Sequence, residues 1–270
     1  MKKISRRRFI ETTALAGLGL ALLDSLWFEK YIIDWNVLDF SGDKPNKLKV
    51  IQVSDLHLNS ISSFHEKFAA RINQAKPDLV VFTGDSVDQQ DGLDFLQSFL
   101  ELIDFSIKKI AITGNWEYWG KVDLVKLEQV YHSNNCELLI NENVNLTIRN
   151  RSISVIGLDD YVGGSPDFKK ATEGVIPTST YLVLSHCPEY RDIIANESTE
   201  FDVDLILSGH THGGQINLFG FVPFKPKGSG RYLKGLYSDY NPKMYVSRGI
   251  GTSVLPIRFG SRAEISEIYL

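Results

Sequence analysis

Short apolar runs, each halted by a polar or glycine-containing pair, set the rhythm of this 270-residue chain. Leu48 to Val53 is brief, rich in β-branched residues and stopped by Ser54-Asp55, which predicts a buried strand. Phe64, Phe68 and Ile72 then recur at helical spacing until Lys76-Pro77 ends the helix. A second strand, Leu79 to Phe82, breaks at Gly84-Asp85, and Phe95, Phe99 and Ile103 predict the helix that follows. Ile110 to Ile112 is a third strand, ending at Gly114-Asn115, and a helix is expected from Asp123 to His132. This β-α-β-α-β order implies parallel strands joined by right-handed crossovers, with all strand C-termini on one edge. Ligands bind at that edge in open α/β sheets, so Asp55, Asp85 and Asn115 are expected to meet there.

The second half is richer in strands. Asn145 to Arg149 and Ser152 to Ile156 read as a hairpin, followed by strands at Tyr181 to Leu184, Leu205 to Leu207, Met244 to Val246 and Ile265 to Tyr269. Two of these stop at further chemistry-bearing residues, His186 and Gly209-His210. No internal repeat or low-complexity tract interrupts the pattern. The expected assembly is an α/β protein of two stacked mixed sheets covered by helices, with a site at their shared edge.

The N-terminus breaks the rhythm. Ser5-Arg6-Arg7-Arg8-Phe9-Ile10 precedes an apolar stretch from Ala14 to Leu23, a charged region followed by a short hydrophobic one. The paired arginines resemble a twin-arginine export signal, which carries already folded proteins across the bacterial inner membrane. No small-x-small cleavage site follows Leu23. The chain continues instead through Leu26-Trp27-Phe28, Tyr31 and Trp35, and Trp and Tyr favour the membrane–water interface. The expectation is an uncleaved signal or anchor over residues 1–24, a linker over 25–46 closed by Pro45, and a catalytic domain over 47–270. The protein would then use the twin-arginine machinery and reside in the periplasm or on the outer face of the inner membrane. The apolar stretch is shorter than the ~20 residues of a comfortable span.

Composition narrows the partners. The hydrophobic fraction of 43% is ample for a core and argues against disorder. The net charge is −4 although Lys2, Lys3, Arg6, Arg7 and Arg8 crowd the N-terminus, so the remaining body is acidic. Nucleic acid is not the expected partner, since phosphate backbones are bound by clustered Lys and Arg; local basic patches remain around Lys225, Lys227 and Arg231. Cys136 and Cys187 imply no disulfide framework and read as two buried thiols.

Five motifs stand in order at the ends of apolar runs: Asp55-Leu56-His57, Gly84-Asp85-Ser86-Val87-Asp88, Gly114-Asn115-Trp116-Glu117, Ser185-His186, and Gly209-His210-Thr211-His212. Singly each has an ordinary explanation: an exposed turn, a helix cap or a structural histidine. Jointly they supply the Asp, Asn and His donors of a two-metal hydrolytic site, a mixed set that suits Mn, Fe or Zn. A serine-hydrolase reading is poorer, because no Gly-x-Ser-x-Gly elbow occurs.

In order and spacing these motifs resemble the calcineurin-like metallophosphoesterases, over Lys47 to the C-terminus. The resemblance implies a four-layer α/β/β/α sandwich and two divalent metal ions. It implies that Asp55, His57 and His212 hold one metal, that Asn115, His186 and His210 hold the other, that Asp85 bridges both, and that Asp88 supports the ligand loop. Asp85, Asn115 and His210 carry the catalytic work on this reading. Two cations ~3.5–4 Å apart acidify a water between them and clamp phosphoryl oxygens during in-line displacement. The tail from Tyr245 through Arg248-Gly249-Ile250-Gly251-Thr252 to Pro256-Ile257-Arg258-Phe259 resembles a narrower bacterial subgroup that is membrane- or wall-associated. That subgroup includes cell-wall phosphodiesterases and enzymes cleaving UDP-2,3-diacylglucosamine. A phosphodiester or pyrophosphate in a lipid- or wall-linked substrate is therefore expected; a nucleotide or small-molecule phosphomonoesterase is the alternative, and a non-catalytic metal-binding scaffold a third.

One residue departs from the family pattern. Trp116 stands where the family has a histidine that can protonate the leaving oxygen, and indole has no acid proton to give. A positioned acid contributes ~10²–10⁴-fold, so its loss should matter for alkoxide leaving groups and little for a phosphate with pKa about 6. Either the leaving group is weakly basic, or His65 or Tyr118 supplies the proton, or Trp116 and Trp119 form an apolar substrate wall. Trp116, Arg248 and Arg258 are the candidate substrate-binding residues, the arginines either gripping phosphate or held in structural ion pairs. Asp159 and Asp160 follow a strand and either face the site or, the preferred expectation, stand in an exposed turn. Phe219, Phe221 and Phe224 are either a protruding loop that touches lipid or core.

Overall fold

A computed structural model describes residues 5–42 and 46–270. Lys2 and Lys3 of the export motif, and Pro45 at the expected linker end, lie outside the described residues. Among the described residues, twelve strands form two six-stranded sheets. The first holds β1 (Asp34–Asp39), β2 (Lys49–Val53), β3 (Leu79–Thr83), β4 (Lys108–Ile112), β5 (Cys136–Leu138) and β12 (Glu264–Tyr269) in the order β1-β12-β2-β3-β4-β5. The second holds β6 (Glu142–Ile148), β7 (Arg151–Gly157), β8 (Tyr181–Leu184), β9 (Leu205–Ser208), β10 (Gly235–Tyr237) and β11 (Met244–Val246) in the order β10-β11-β9-β8-β7-β6. Strands β2 to β5 run parallel, as do β7, β8, β9 and β11, whereas β12 is antiparallel to β2, and β6 and β10 are antiparallel to their neighbours, so each sheet is mixed. The helices are α1 (Arg6–Tyr31, with a π-wound stretch over Asp24–Phe28), α2 (Ser63–Ala75), α3 (Gly92–Glu101), α4 (Asn115–Trp119), α5 (Leu124–His132), α6 (Phe168–Ala171) and α7 (Arg191–Ile194).

Strand alternation explains the layers, because successive side chains point to opposite faces. Val50, Val81, Ile110 and Ile112 pack with Val155, Leu182, Leu184 and Leu207 between the two sheets. Their neighbours Ile51, Val80, Phe82 and Ala111 face the other way, onto Phe68, Ile72, Leu96 and Phe99 of α2 and α3. On the far side of the second sheet, Ile156, Val183, Ile206 and Val246 meet Phe168 and Ile194. The result is the expected α/β/β/α sandwich.

Within the expected linker over 25–46, the described residues up to 39 are largely regular structure. Its first part completes α1, and Asp34–Asp39 form β1, which pairs in parallel with β12. An edge strand has one sheet neighbour and a half-solvated surface, so Asp34, Asn36 and Asp39 stand among Trp35, Val37 and Leu38 and dilute the apolar pattern. Trp35 is held across the pairing by donating to Glu267 Oε2 at 2.7 Å. The short strands β5 and β10 and the helical turn α4 were likewise too brief to announce themselves by periodicity.

Candidate metal centre

Each motif leaves the C-terminal end of a strand and turns sharply. Asp55 follows β2, Asp85 follows β3, Asn115 follows β4, His186 follows β8 and His210 follows β9. The turns are tight enough to place five of these side chains on left-handed backbone: Asp55 (φ 52°), His57 (47°), Asp85 (52°), His210 (72°) and His212 (50°). Non-glycine residues there cost on the order of 1–3 kcal/mol each and persist where the surroundings over-determine them. Adjacent glycines make the crossings possible. A Cβ on Gly209 would lie 1.9 Å from Ser54 Oγ and 2.5 Å from Asp55 Oδ2, and one on Gly114 would lie 2.3 Å from Asp85 Oδ1.

Two buried clusters result, Asp55-His57-His212 and Asp85-His186-His210. In the first, His57 Nε2 is 3.1 Å from His212 Nε2, which is 3.5 Å from Asp55 Oδ1. In the second, His186 Nε2 is 3.1 Å from Asp85 Oδ2 and 3.3 Å from His210 Nδ1. Asp85 Oδ2 also lies 3.9 Å from His57 Nε2, between the clusters.

The hydrogen-bond partners test whether cations fit. His57 Nδ1 faces Asp88 Oδ1, His186 Nδ1 faces the Thr83 carbonyl at 2.7 Å, and His210 Nε2 faces the Lys227 carbonyl at 2.7 Å. His212 differs, its Nδ1 facing the Arg258 guanidinium at 3.3 Å, but the partners of these three histidines are acceptors, so each facing nitrogen donates and the other ring nitrogen turns its lone pair inward. That outer arrangement is how metal-binding imidazoles are oriented. Asn115 is buried and its Oδ1 has no hydrogen-bond partner. Inward lone pairs, two carboxylates and an orphaned amide oxygen fit a pair of divalent cations, and Asn115 lines the same cavity as Asp85 and His210.

Charge follows the same geometry. Burial pulls the His186 imidazole down, but Asp85 more than reverses this and holds it well above the ordinary value. Burial, His57 and Arg258 push His212 well below it. For Asp85 the burial penalty is outweighed by His186 and His57, which keep the carboxyl far below the usual carboxylate range.

Glu117 is a supporting residue to which the motif pattern assigned no role. Its buried carboxylate accepts from the backbone N–H groups of Asp85 (3.2 Å), Ser86 (2.6 Å), Val87 (3.3 Å) and Gly114 (2.8 Å), tying the second motif to the third. Burial and the neighbouring Asp85 push it up to about 7. Its signal in the sequence is its place three residues after Gly114, where a side chain can cap the start of a short helix.

A cavity of about 480 Å³ opens above the clusters, with Asp85, Asn115, His210 and His212 at its floor. Trp116, Trp119, Phe224, Val254 and Leu255 make its walls, with Lys227 beside them. Trp116 donates its backbone N–H to Asp85 Oδ1 at 2.8 Å, while its ring lies edge-on between His57 and Trp119 at centroid distances of 5.9 and 5.7 Å.

Three expectations are corrected. Arg248 and Arg258 do not line the cavity. Arg248 is engaged by Glu264 and by Asp34, the latter at 3.1 Å. Arg258 is fully buried and donates to the carbonyls of Gly251 and Ser261, with Nη2 3.3 Å from His212 Nδ1, so both guanidinium groups brace the protein. Asp159 and Asp160 are buried rather than exposed. Asp159 accepts from Thr113, Tyr118 and the Ser165 N–H, and Asp160 from the N–H groups of Val162 and Gly163, which fold the loop inward. Neither suggested proton donor reaches the cavity: the Tyr118 hydroxyl donates to Asp159, and His65 sits on α2 against Ser62 and Phe99. Both cysteines are buried and free.

The model of the calcineurin-like phosphoesterases matches residues 48–214. The chain is 30% identical to the uncharacterized metallophosphoesterase YkuE of Bacillus subtilis (strain 168) over 283 aligned positions, covering 98% of this chain and 97% of that one. It is 30% identical to the phosphodiesterase YaeI of Escherichia coli (strain K12), covering 99% of both chains. Among solved structures, a 5′-nucleotidase precursor from Thermus thermophilus aligns with 83% of this chain and 54% of its own at 15% identity, with a TM-score of 0.47.

Proposed function

The chain belongs to the calcineurin-like phosphoesterase family and is a metal-dependent phosphoester hydrolase, and from that premise we propose that it cleaves a phosphodiester or pyrophosphate bond in a lipid- or wall-linked substrate. The observation that carries this reading is the union of a metal-ligand floor with an apolar cavity whose acid position is filled by Trp116. When bound, a pair of Mn, Fe or Zn ions supplies Lewis acidity toward phosphoryl oxygens and acidifies a water. Asp55, His57 and His212 would hold one ion and Asn115, His186 and His210 the other, with Asp85 beside both groups. The indole walls and Leu255 exclude water and bind the apolar part of the substrate. With Tyr118 and His65 committed elsewhere, the geometry favours a leaving group that departs without a proton.

The proposed location rests on α1. Among the described residues one helix, Arg6–Tyr31, is long and apolar enough to cross a membrane. Past its arginines, from Phe9 to Phe28, it runs about 30 Å, close to the ~30 Å hydrocarbon core. Arg6, Arg7 and Arg8 at its start favour the cytoplasmic side, which leaves the catalytic domain on the outer face after twin-arginine export.

Turnover of a lipid diphosphate, bis(p-nitrophenyl) phosphate and a dialkyl phosphate with added Mn²⁺ tests the substrate reading. The first two should exceed the third by roughly 10²-fold or more, and Asp85→Ala should be inactive on all. Equal rates on the dialkyl ester would reject the leaving-group argument, and activity in Asp85→Ala would reject the metal site.

A further inference from the structure

Phe224 and Val254 line the cavity at its rim, and Phe219 and Phe221 stand just ahead of Phe224 on the same loop; among the described residues nothing covers these side chains. Phe219 is 100% exposed, Phe221 67%, Phe224 75% and Val254 84%. Apolar surface concentrated in this way marks an interaction site. Hydrogen bonds join the rim into one unit with the end of α1. Arg258 N–H donates to the Ser25 carbonyl at 3.0 Å, and the Glu29 carboxylate accepts from Gly260 and Ser261 N–H, both at 2.8 Å. Between those residues Phe259 exchanges backbone bonds with Gln215 (2.8 Å) and Asn217 (2.7 Å), at the root of the phenylalanine loop. Gln215 Nε2 in turn donates to the carbonyls of Ser253 (3.0 Å) and Leu255 (2.9 Å).

We infer that this rim is a bilayer-docking surface, with Phe219, Phe221 and Phe224 inserted among acyl chains so that a lipid phosphoester enters the cavity sideways from the leaflet. The occupant is identified by α1: its residues 6–20 are exposed, and from Phe9 to Phe28 it is about as long as the hydrocarbon core is thick. Trp27, Phe28 and Tyr31 are exposed where it reaches the domain, which is where aromatic side chains mark the interface. A rim bonded to that end of the helix meets the same leaflet. Lys225 and Lys227 follow the phenylalanines and suit anionic headgroups. The inference rests on the proposed anchor and deepens the proposed substrate class.

The test uses the full chain in nanodiscs of phosphatidylethanolamine and phosphatidylglycerol. Phe219→Cys is labelled with an environment-sensitive fluorophore, since Cys136 and Cys187 are buried. Phe105→Cys is the control, because Phe105 is exposed ahead of β4, at the opposite strand end from the site. A blue-shifted emission quenched by spin-labelled lipid is expected at 219 and absent at 105; equal aqueous emission at both overturns the inference. This readout needs no turnover, so it stands or falls separately from the substrate reading. Carbonate extraction separates out the anchor: full release of the protein overturns anchor and docking together, while retention with an aqueous label at 219 overturns docking alone. In turnover, Phe219→Ser with Phe221→Ser should leave bis(p-nitrophenyl) phosphate hydrolysis within twofold and lower hydrolysis of a bilayer-embedded lipid diphosphate at least tenfold. Unchanged rates on both substrates would also overturn it.

Discussion

Trp116→His restores the acid that the family carries and should change which leaving groups the enzyme tolerates. The substitution leaves the backbone N–H that donates to Asp85 Oδ1 at 2.8 Å, so the ligand geometry is preserved. The new imidazole occupies the cavity wall one residue from Asn115 and beside His57, whose ring lies 5.9 Å from the present indole. A positioned general acid contributes ~10²–10⁴-fold, or about 3–5 kcal/mol of barrier. That gain applies to a dialkyl phosphate, whose alkoxide needs a proton. It does not apply to a pyrophosphate, whose leaving phosphate has a pKa of about 6. Against it stands the lost wall. A Trp side chain offers ~200 Å², and losing half of that against an apolar substrate costs about 2.5 kcal/mol, roughly 70-fold in binding. Steady-state kinetics with Mn²⁺ should therefore show kcat for the dialkyl ester rising at least 10²-fold. On the lipid diphosphate kcat should stay within about threefold while KM rises by one to two orders of magnitude. If kcat rises equally on both substrates, or on neither, the leaving-group account of Trp116 is wrong.

Further expectations follow from the same geometry. Lys227→Ala removes an exposed ammonium from the cavity wall but keeps the carbonyl that accepts from His210 at 2.7 Å. A charge-assisted contact to phosphate is worth about 1.5–3 kcal/mol, so KM should rise roughly 10- to 100-fold with metal content unchanged; loss of metal would refute a purely substrate-facing role. Gly209→Ala drives a Cβ to 1.9 Å from Ser54 Oγ. The overpacking should cost about 3 kcal/mol and a metal equivalent, and metal analysis showing two bound ions at an unchanged melting temperature would contradict the tight crossing. Burial pushes the Cys136 thiol up, and burial together with Glu117 raises the Tyr131 phenol. Both groups therefore hold their protons longer folded than unfolded, so their stabilising contribution is complete below the unfolded values near 9 and 10 and is lost as pH rises beyond them. Melting temperature should fall between about pH 9 and 11, and a flat profile across that window would show these groups not to be differentially buried.

Much of the fold was legible because it is encoded locally. A strand buried on both faces must be apolar throughout, and a helix lying on a sheet must repeat its apolar residues every third or fourth position; β2, α2, β3, β4 and β8 declared themselves in this way. The residues of the two buried Asp-His clusters were equally visible, since each motif stands just past a strand end and the topology of parallel strands brings those ends together. What stayed hidden depends on contacts between distant segments. β1 is held as an edge strand by pairing with β12 at the other end of the chain, and its half-exposed surface leaves no sharp apolar pattern. For Arg248 and Arg258 the sequence left phosphate binding and a structural role open until tertiary packing supplied Asp34, Glu264 and a set of buried carbonyls. Asp159 looked like a turn residue until the hydroxyls of Thr113 and Tyr118 arrived from another strand and helix. Residue type and spacing thus determined the chemistry available to this protein. Only the three-dimensional placement decided which charges face a substrate, because the partner that commits a charge lies far away in sequence.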